Sequence, residues 1–253
     1  MITPDFLETT VEQLNIGVMS FDIFDTLITR PMQRPTDIFR YMQRNAPIVP
    51  EDFPEMRVRA EALAREAARG NECTIQEIYG VLSTFNRYSP ALCQSLCSME
   101  LETELRMCIP RKEGARLLER ASYLDVRIIL VSDMYLPVER ISRMLCKCEI
   151  KNFSEIYVSS DVRRSKYSGD LYRYVRRMEE LPYRSMLHIG DNPVSDVIVP
   201  RNLGMHAAYF PLQEGKTLSE PKGLIDRVLL PYGSIRRRTA GRIEKLLRTT
   251  IDI

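Results

Sequence analysis

The chain has 253 residues, 44% of them hydrophobic, with 36 basic and 34 acidic side chains and a formal charge of +2. That length can bury one large core, or one core and a smaller inserted domain, and the balanced charge argues against nucleic acid or an acidic membrane as the main partner. No apolar run is long enough to span a bilayer, and residues 1–10 carry neither a basic head nor a signal-type apolar stretch, so a cytoplasmic location and a small-molecule substrate are expected.

The first clear element is a strand at 17–21 that runs into Asp22. The segment Val18-Met19-Ser20-Phe21-Asp22-Ile23-Phe24-Asp25-Thr26-Leu27 is mostly apolar and stops at carboxylates and a threonine. A buried strand of a parallel sheet ends this way where its carboxyl edge opens on a polar crevice, which makes Asp22 the first catalytic candidate.

About a hundred residues with almost no strand signal follow, far more than a crossover helix requires. Pro35-Thr36-Asp37 opens a helix through Asn45, and Pro54 starts another with Met56, Ala60, Leu63 and Ala67 on one face before Gly70 ends it. Thr74-Ile75-Gln76-Glu77 is a capping-box sequence. A fourth helix starts at Ser89-Pro90 and holds Leu92, Leu96, Met99 and Cys108 in register, with Glu100, Glu102 and Glu104 expected outward. The expectation is an all-helical domain at 34–108, hinged near Arg30-Pro31 and Ile109-Pro110. It would be inserted into a discontinuous α/β core made of 1–33 and 109–253.

A helix at 111–123 returns to that core. Strand patterns then recur at 126–131, 155–159, 185–189 and 206–210, separated by helical stretches of crossover length, which is the signature of an open α/β sheet. The tail after Pro231 carries Arg236, Arg237, Arg238, Arg242, Lys245 and Arg248 beside an apolar stripe, and reads as a solvated helix docking on the domain. The six cysteines have no C-x-x-C spacing and only His188 and His206 supply imidazoles, so buried or half-exposed thiols are expected and a zinc cluster is not.

Each later strand end repeats the logic of Asp22. Ile128-Ile129-Leu130-Val131-Ser132 puts a hydroxyl donor where it can hold an anionic oxygen. Arg163, Arg164 and Lys166 follow the third strand, and Lys166, just before the next helix, is the best placed to neutralise charge beside a nucleophile. The fourth strand ends in Gly190-Asp191-Asn192-Pro193-Val194-Ser195-Asp196, where Gly190 allows close backbone approach and Asp191 and Asp196 offer hard oxygen ligands suited to magnesium. His188, inside that strand, reads as a satisfied sheet histidine.

Asp22-x-x-x-Thr26, Ser132, Lys166 and Gly190-Asp191-x-x-x-x-Asp196, in this order at four strand ends, resemble the haloacid dehalogenase-like hydrolase superfamily over about residues 16–210. The resemblance implies a Rossmann-like three-layer α/β core with a mainly parallel sheet, and it makes the helical insertion look like the cap that sets substrate choice. It also implies a Mg2+-dependent phosphatase acting on a sugar or polyol phosphate. Asp22 would form an aspartyl-phosphate, with the metal held by Asp22, the Phe24 backbone carbonyl and Asp191. Asp196 would bind the metal directly or orient a water or Lys166. Thr26, Ser132 and Lys166 would hold the phosphoryl oxygens. The wording FDIFDTL, VSDMYLP and KYSGDLY is closest to a branch associated with glycosyltransferases of surface-polysaccharide synthesis.

One position departs from the phosphatase pattern. Phe24 stands where those enzymes carry a second Asp as general acid–base, a role worth ~10²–10⁴-fold. Asp25 either substitutes for it or caps the local backbone. Dehalogenase or phosphonatase chemistry on the same nucleophile, and a non-catalytic partner of a glycosyltransferase, are the alternative readings.

Overall fold

The computed structural model describes residues 4–85 and 88–211, so the basic tail read after Pro231 lies outside the described residues. In chain order the elements are α1 (Pro4–Leu14), β1 (Val18–Phe21), β2 (Ile28–Thr29), α2 (Asp37–Asn45), α3 (Phe53–Ala67), α4 (Ile75–Leu82), α5 (Pro90–Met107), β3 (Ile109–Pro110), α6 (Lys112–Ala121) and β4 (Arg127–Ser132). There follow α7 (Val138–Lys147), β5 (Glu155–Val158), α8 (Ser159–Val162), α9 (Asp170–Met178), β6 (Met186–Gly190), α10 (Val199–Asn202) and β7 (His206–Tyr209). Among the described residues no helix is long and apolar enough to cross a membrane.

Five strands form one parallel sheet in the order β5-β4-β1-β6-β7. β1 is the centre, and its period-two alternation serves two faces. Met19 and Phe21 join the larger apolar cluster with Ile128 and Leu130, whereas Val18 joins Ile129, Val131, Leu171, Tyr172 and Val175 on the other side. Burying each such side chain contributes ~1.5–3 kcal/mol, so the sheet is fixed from both faces. This is the three-layer α/β architecture expected, and the strands fall within a residue or two of the positions read from the sequence.

Of the stretches read as hinges, Ile109-Pro110 is paired, with the two residues just before Arg30-Pro31. Ile28 and Thr29 bond antiparallel to Pro110 and Ile109, a two-stranded ribbon at the point where the chain leaves and re-enters the sheet. The α4 capping box is present in both arms: the Glu77 amide donates to Thr74 Oγ1 at 3.2 Å and the Thr74 amide to Glu77 Oε2 at 2.8 Å.

Two expected helix faces are corrected. The buried side of α3 is Phe53, Arg57, Ala60 and Ala64, while Leu63 is exposed. Glu100 and Glu104 of α5 face inward, not outward. The cause is one charge network that hydropathy cannot show. The fully buried Arg57 guanidinium donates to both oxygens of Glu100 at 2.8 and 2.7 Å and lies over the rings of Phe39 and Tyr135. Tyr79 also donates to Glu100, at 2.7 Å. Arg30 pairs in the same two-pronged way with Glu104, at 2.6 and 3.0 Å. Paired carboxylates can be buried, whereas breaking such a pair costs ~3–5 kcal/mol.

Candidate active site

The strand order decides which loops meet. With β1 between β4 and β6, Asp22 lies beside the ends that carry Ser132 and Gly190-Asp191, and its amide donates to the Ile189 carbonyl at 2.9 Å. From Asp22 the chain folds back on itself: the amides of Leu27 and Ile28 both donate to the Ile23 carbonyl, and Asp25 takes the left-handed conformation with φ 58°. Gly114 of α6 lets that helix press on this loop, since a Cβ there would lie 1.9 Å from the Thr26 carbonyl oxygen. Arg111 fastens the loop from below, donating to the Asp25 carbonyl and to the Phe210 and Pro211 carbonyls.

Lys166 sits at the centre of the site, only 2% exposed. Its Nζ donates to Asp22 Oδ1 at 2.5 Å and to Asp196 Oδ1 at 2.6 Å. Lys166 thus lies against Asp22, whereas Arg163 pairs with Glu77 of α4. Burial alone would lower the lysine pKa, but Asp196 and Asp22 outweigh it and raise it, so the amine stays charged. Burial raises Asp22 well above the usual carboxylate range against the pull of Lys166. At Asp196 the balance is reversed: burial pushes up, and Lys166 and His188 hold the group below its ordinary value.

Asp196 is brought back to the sheet by a wide, π-helical turn over Pro193–Ile198, whose first amides, Val194 and Ser195, donate to Asn192 Oδ1. The Asn192 amide donates to Asp196 Oδ2 at 2.9 Å, and Gly190 leaves the space, for a Cβ there would meet that oxygen at 2.4 Å. His188 Nε2 lies 3.3 Å from Asp196 Oδ1, and its Nδ1 lies 2.8 Å from Ser20 Oγ. An ionised carboxylate only accepts, so Nε2 carries the proton and Nδ1 accepts from Ser20. Burial lowers the histidine pKa and keeps the ring neutral.

Asp191 completes the acidic group. One carboxylate oxygen each of Asp22, Asp191 and Asp196 falls within 4.8 Å of the other two. Burial, with Asp196 adding to it, raises Asp191 to about 7. Thr26 donates to Asp191 Oδ1 at 3.1 Å, so its hydroxyl has a partner that the sequence did not indicate. Ser132 ends β4 and is buried.

Three placements were missed or left open by the sequence. Asp133, one residue past Ser132, accepts the backbone N–H of Lys166 at 2.6 Å and of Tyr167 at 3.3 Å, which sets where the lysine starts. An acid directly after a strand-end hydroxyl was the available signal. Ser20 and His188 are register partners on β1 and β6, polar residues within apolar runs whose pairing is visible only once the register is known. Asp25 Oδ1 accepts from Thr29 Oγ1 at 2.6 Å, a local backbone-shaping contact. Phe24 lies under the Arg30 guanidinium, 4.7 Å from ring centroid to Cζ.

No protein-family profile matches the sequence, and no curated protein matches it. Solved structures do match. A 2-haloacid dehalogenase from Pseudomonas syringae pv. tomato is 17% identical, with 86% of this chain and 100% of that chain covered and a TM-score of 0.55. A haloacid dehalogenase-like family hydrolase from Xanthomonas campestris is 19% identical over 85% of this chain and 91% of that chain, with a TM-score of 0.54. An enzyme of the same family from Bacteroides thetaiotaomicron, solved in complex with magnesium and inorganic phosphate, is 14% identical over 81% of this chain and 98% of that one, with a TM-score of 0.53. The chain has the fold of the haloacid dehalogenase-like enzymes.

Proposed function

We propose that the chain is a hydrolase of phosphate monoesters that uses Asp22 as its nucleophile and Mg2+ as its cofactor, with a small phosphorylated molecule such as a sugar or polyol phosphate as substrate. The observation that carries this reading is the position of Asp191. It places a second carboxylate beside Asp22, with Asp196 behind it, at the carboxyl end of the central strands. Dehalogenation needs no such acid, and two neighbouring carboxyl groups, Asp22 and Asp191, whose ionisation burial opposes make a site that asks for a cation.

The donor set fits magnesium. Asp22 Oδ2 and Asp191 Oδ2 make no hydrogen bond among the described residues, whereas both oxygens of Asp196 are committed, to Lys166, His188 and the Asn192 amide. Asp22 and Asp191, with the Phe24 backbone carbonyl, would therefore hold the ion, and Asp196 would act by orienting Lys166. Bound there, magnesium would supply the positive charge that lets an anionic phosphate approach an anionic carboxylate.

The chain's own residues do the rest. Asp22 attacks phosphorus and carries the phosphoryl group until water releases it. Lys166 stays charged throughout and faces the attacking oxygen, stabilising the anionic ground and transition states. The Ser132 hydroxyl donates to a non-transferred oxygen, and Thr26 does so once it turns from Asp191. The helices between residues 34 and 108 act as the cap over this site, carried by the core of 1–33 and 109–253. Phe24 supplies no proton, so good leaving groups turn over faster than alkoxides. A glycosyltransferase partner rests on the sequence resemblance alone.

The test is a phosphate-release screen over sugar, polyol and nucleotide monophosphates, with magnesium or a chelator, and Asp22→Asn as the blank. Metal-dependent release that the variant lacks is expected. Chelator-insensitive release of halide from 2-haloacids would replace this reading with the dehalogenase one, which the phenylalanine at position 24 favours.

A further inference from the structure

The six cysteines give no pairing by spacing, yet the fold brings two of them together. Cys148 Sγ donates to Cys108 Sγ at 3.8 Å. They lie 40 residues apart in the chain and each ends a helix, Cys108 closing α5 and Cys148 closing α7. Side-chain rotation with small backbone shifts can close the remaining ~2 Å to disulfide length. Cys108 and Cys148 are both buried, as are Cys73 and Cys93, while Cys146 is exposed.

A cation holds the two ends in place. Lys147, next to Cys148, donates from Nζ to the carbonyls of Leu105 at 3.0 Å, Arg106 at 2.6 Å and Cys108 at 2.9 Å. It caps the exposed carbonyls of α5 and ties them to the last turn of α7. We propose that Cys108 and Cys148 form a dithiol–disulfide site that a hydroperoxide oxidises, fastening the end of α5 to the end of α7. The hydrogen bond from Cys148, together with the Lys147 charge, lowers the Cys108 thiol to about 7 despite burial, which makes it the attacking sulfur.

The step balances. The Cys108 thiolate attacks one peroxide oxygen, the O–O bond breaks, and the departing oxygen leaves as water or alcohol, giving a sulfenic acid at Cys108. The Cys148 sulfur then attacks the Cys108 sulfur and expels that hydroxyl as a second water. The two thiols give up two electrons and two protons, and the hydroperoxide takes them. The link would close the chain where the helical segment passes into β3, the strand paired with β2 just beyond the Asp22 loop. The site stands apart from the proposed phosphatase reading and survives its failure.

The test treats the full chain in its native state with one equivalent of hydrogen peroxide, blocks remaining thiols with an alkylating agent, and maps peptides without reductant. A peptide joining Cys108 to Cys148 is expected, two hydrogens lighter than the sum of its parts and absent after reductant. Cys146→Ala should keep it. Cys148→Ser should replace it with a sulfenic acid at Cys108 that a dimedone-type reagent traps. Recovery of both residues as alkylated thiols while Cys146 is oxidised, or a link seen only in denaturant, would overturn the proposal.

Discussion

The ammonium of Lys166 lies 2.5 Å from the Asp22 carboxyl group and is shared with Asp196, so one buried cation answers two buried acids. Removing either end has opposite consequences for stability. Asp22→Asn takes away a carboxylate whose ionisation burial opposes, and should abolish phosphate release while leaving the melting temperature unchanged or higher. Lys166→Met strands two carboxylates and should cost ~3–5 kcal/mol, along with ~10²-fold or more in turnover. Thermal scans beside the release assay read both, and a Lys166→Met protein as stable as the parent would show that the carboxylates do not carry the charges assigned to them.

Phe24→Asp supplies the carboxylate that phosphatases of this pattern carry. The structure tempers what it can gain, because the Arg30 guanidinium lies 4.7 Å over the ring that is replaced and would hold a new carboxylate ionised. An ionised group accepts a proton and cannot donate one. The expected gain on alkyl phosphates is under ~10-fold, short of the ~10²–10⁴ of a tuned general acid. A gain in the full range would mean that Arg30, drawn toward Glu104, leaves the acid unperturbed.

Asp25 is the other route to a proton. Its carboxylate accepts from Thr29 and its backbone sits at φ 58°, both of which asparagine reproduces. If the residue shapes the loop, Asp25→Asn should keep kcat within a few-fold, whereas Asp25→Ala should lose both activity and ~1 kcal/mol of stability. A drop in kcat of ~10² or more in Asp25→Asn, largest for poor leaving groups, would make Asp25 the acid.

The sheet and most of the site could be read in advance because they depend on local patterns. Five short apolar runs mark the strands, and the first four of them lead into the polar residues of the site. Asp22, Lys166, Asp191 and Asp196 meet because the sheet aligns those ends, so order along the chain sufficed to group them. Glu100 and Glu104 were misplaced, and Arg57 passed over, for the complementary reason. Hydropathy scores a charge as exposed, and only the partner, 43 residues away for Arg57 and Glu100, makes its burial tolerable. Asp133 escaped notice because it works through backbone amides and not through a charged partner, so its place directly after Ser132 was the one sign of it.

Asp133 also gives the fold a pH dependence with a definite sign. Burial raises its carboxyl to about 6 despite Lys166, so the folded state binds the proton more tightly than the unfolded chain. Its stabilising contribution is present below the ordinary carboxylate pKa and is lost as pH rises through about 6, by ~3 kcal/mol for a two-unit shift. Relative to Asp133→Asn, the parent should therefore lose stability between about pH 4 and 6.5 and run parallel above 7. Denaturant midpoints across that range check it, and the opposite slope would mean that the Lys166 and Tyr167 amides stabilise the ionised form more than burial opposes it.

Gly190→Ala tests whether the site depends on close packing at the strand end. The added methyl would lie 2.4 Å from Asp196 Oδ2, where the Asn192 amide now donates, so the carboxylate must move. Asp196 cannot move without loosening Lys166 and His188, which both reach its other oxygen. Overpacking of this kind costs ~1–3 kcal/mol, and the displaced lysine should cost turnover as well. The separating measurement is KM against kcat: if, as proposed, the helices at 34–108 bind the substrate, a lysine out of place lowers kcat and leaves KM nearly unchanged. Full activity in Gly190→Ala would show that Asp196 is free to shift and that Lys166 is held by Asp22 alone.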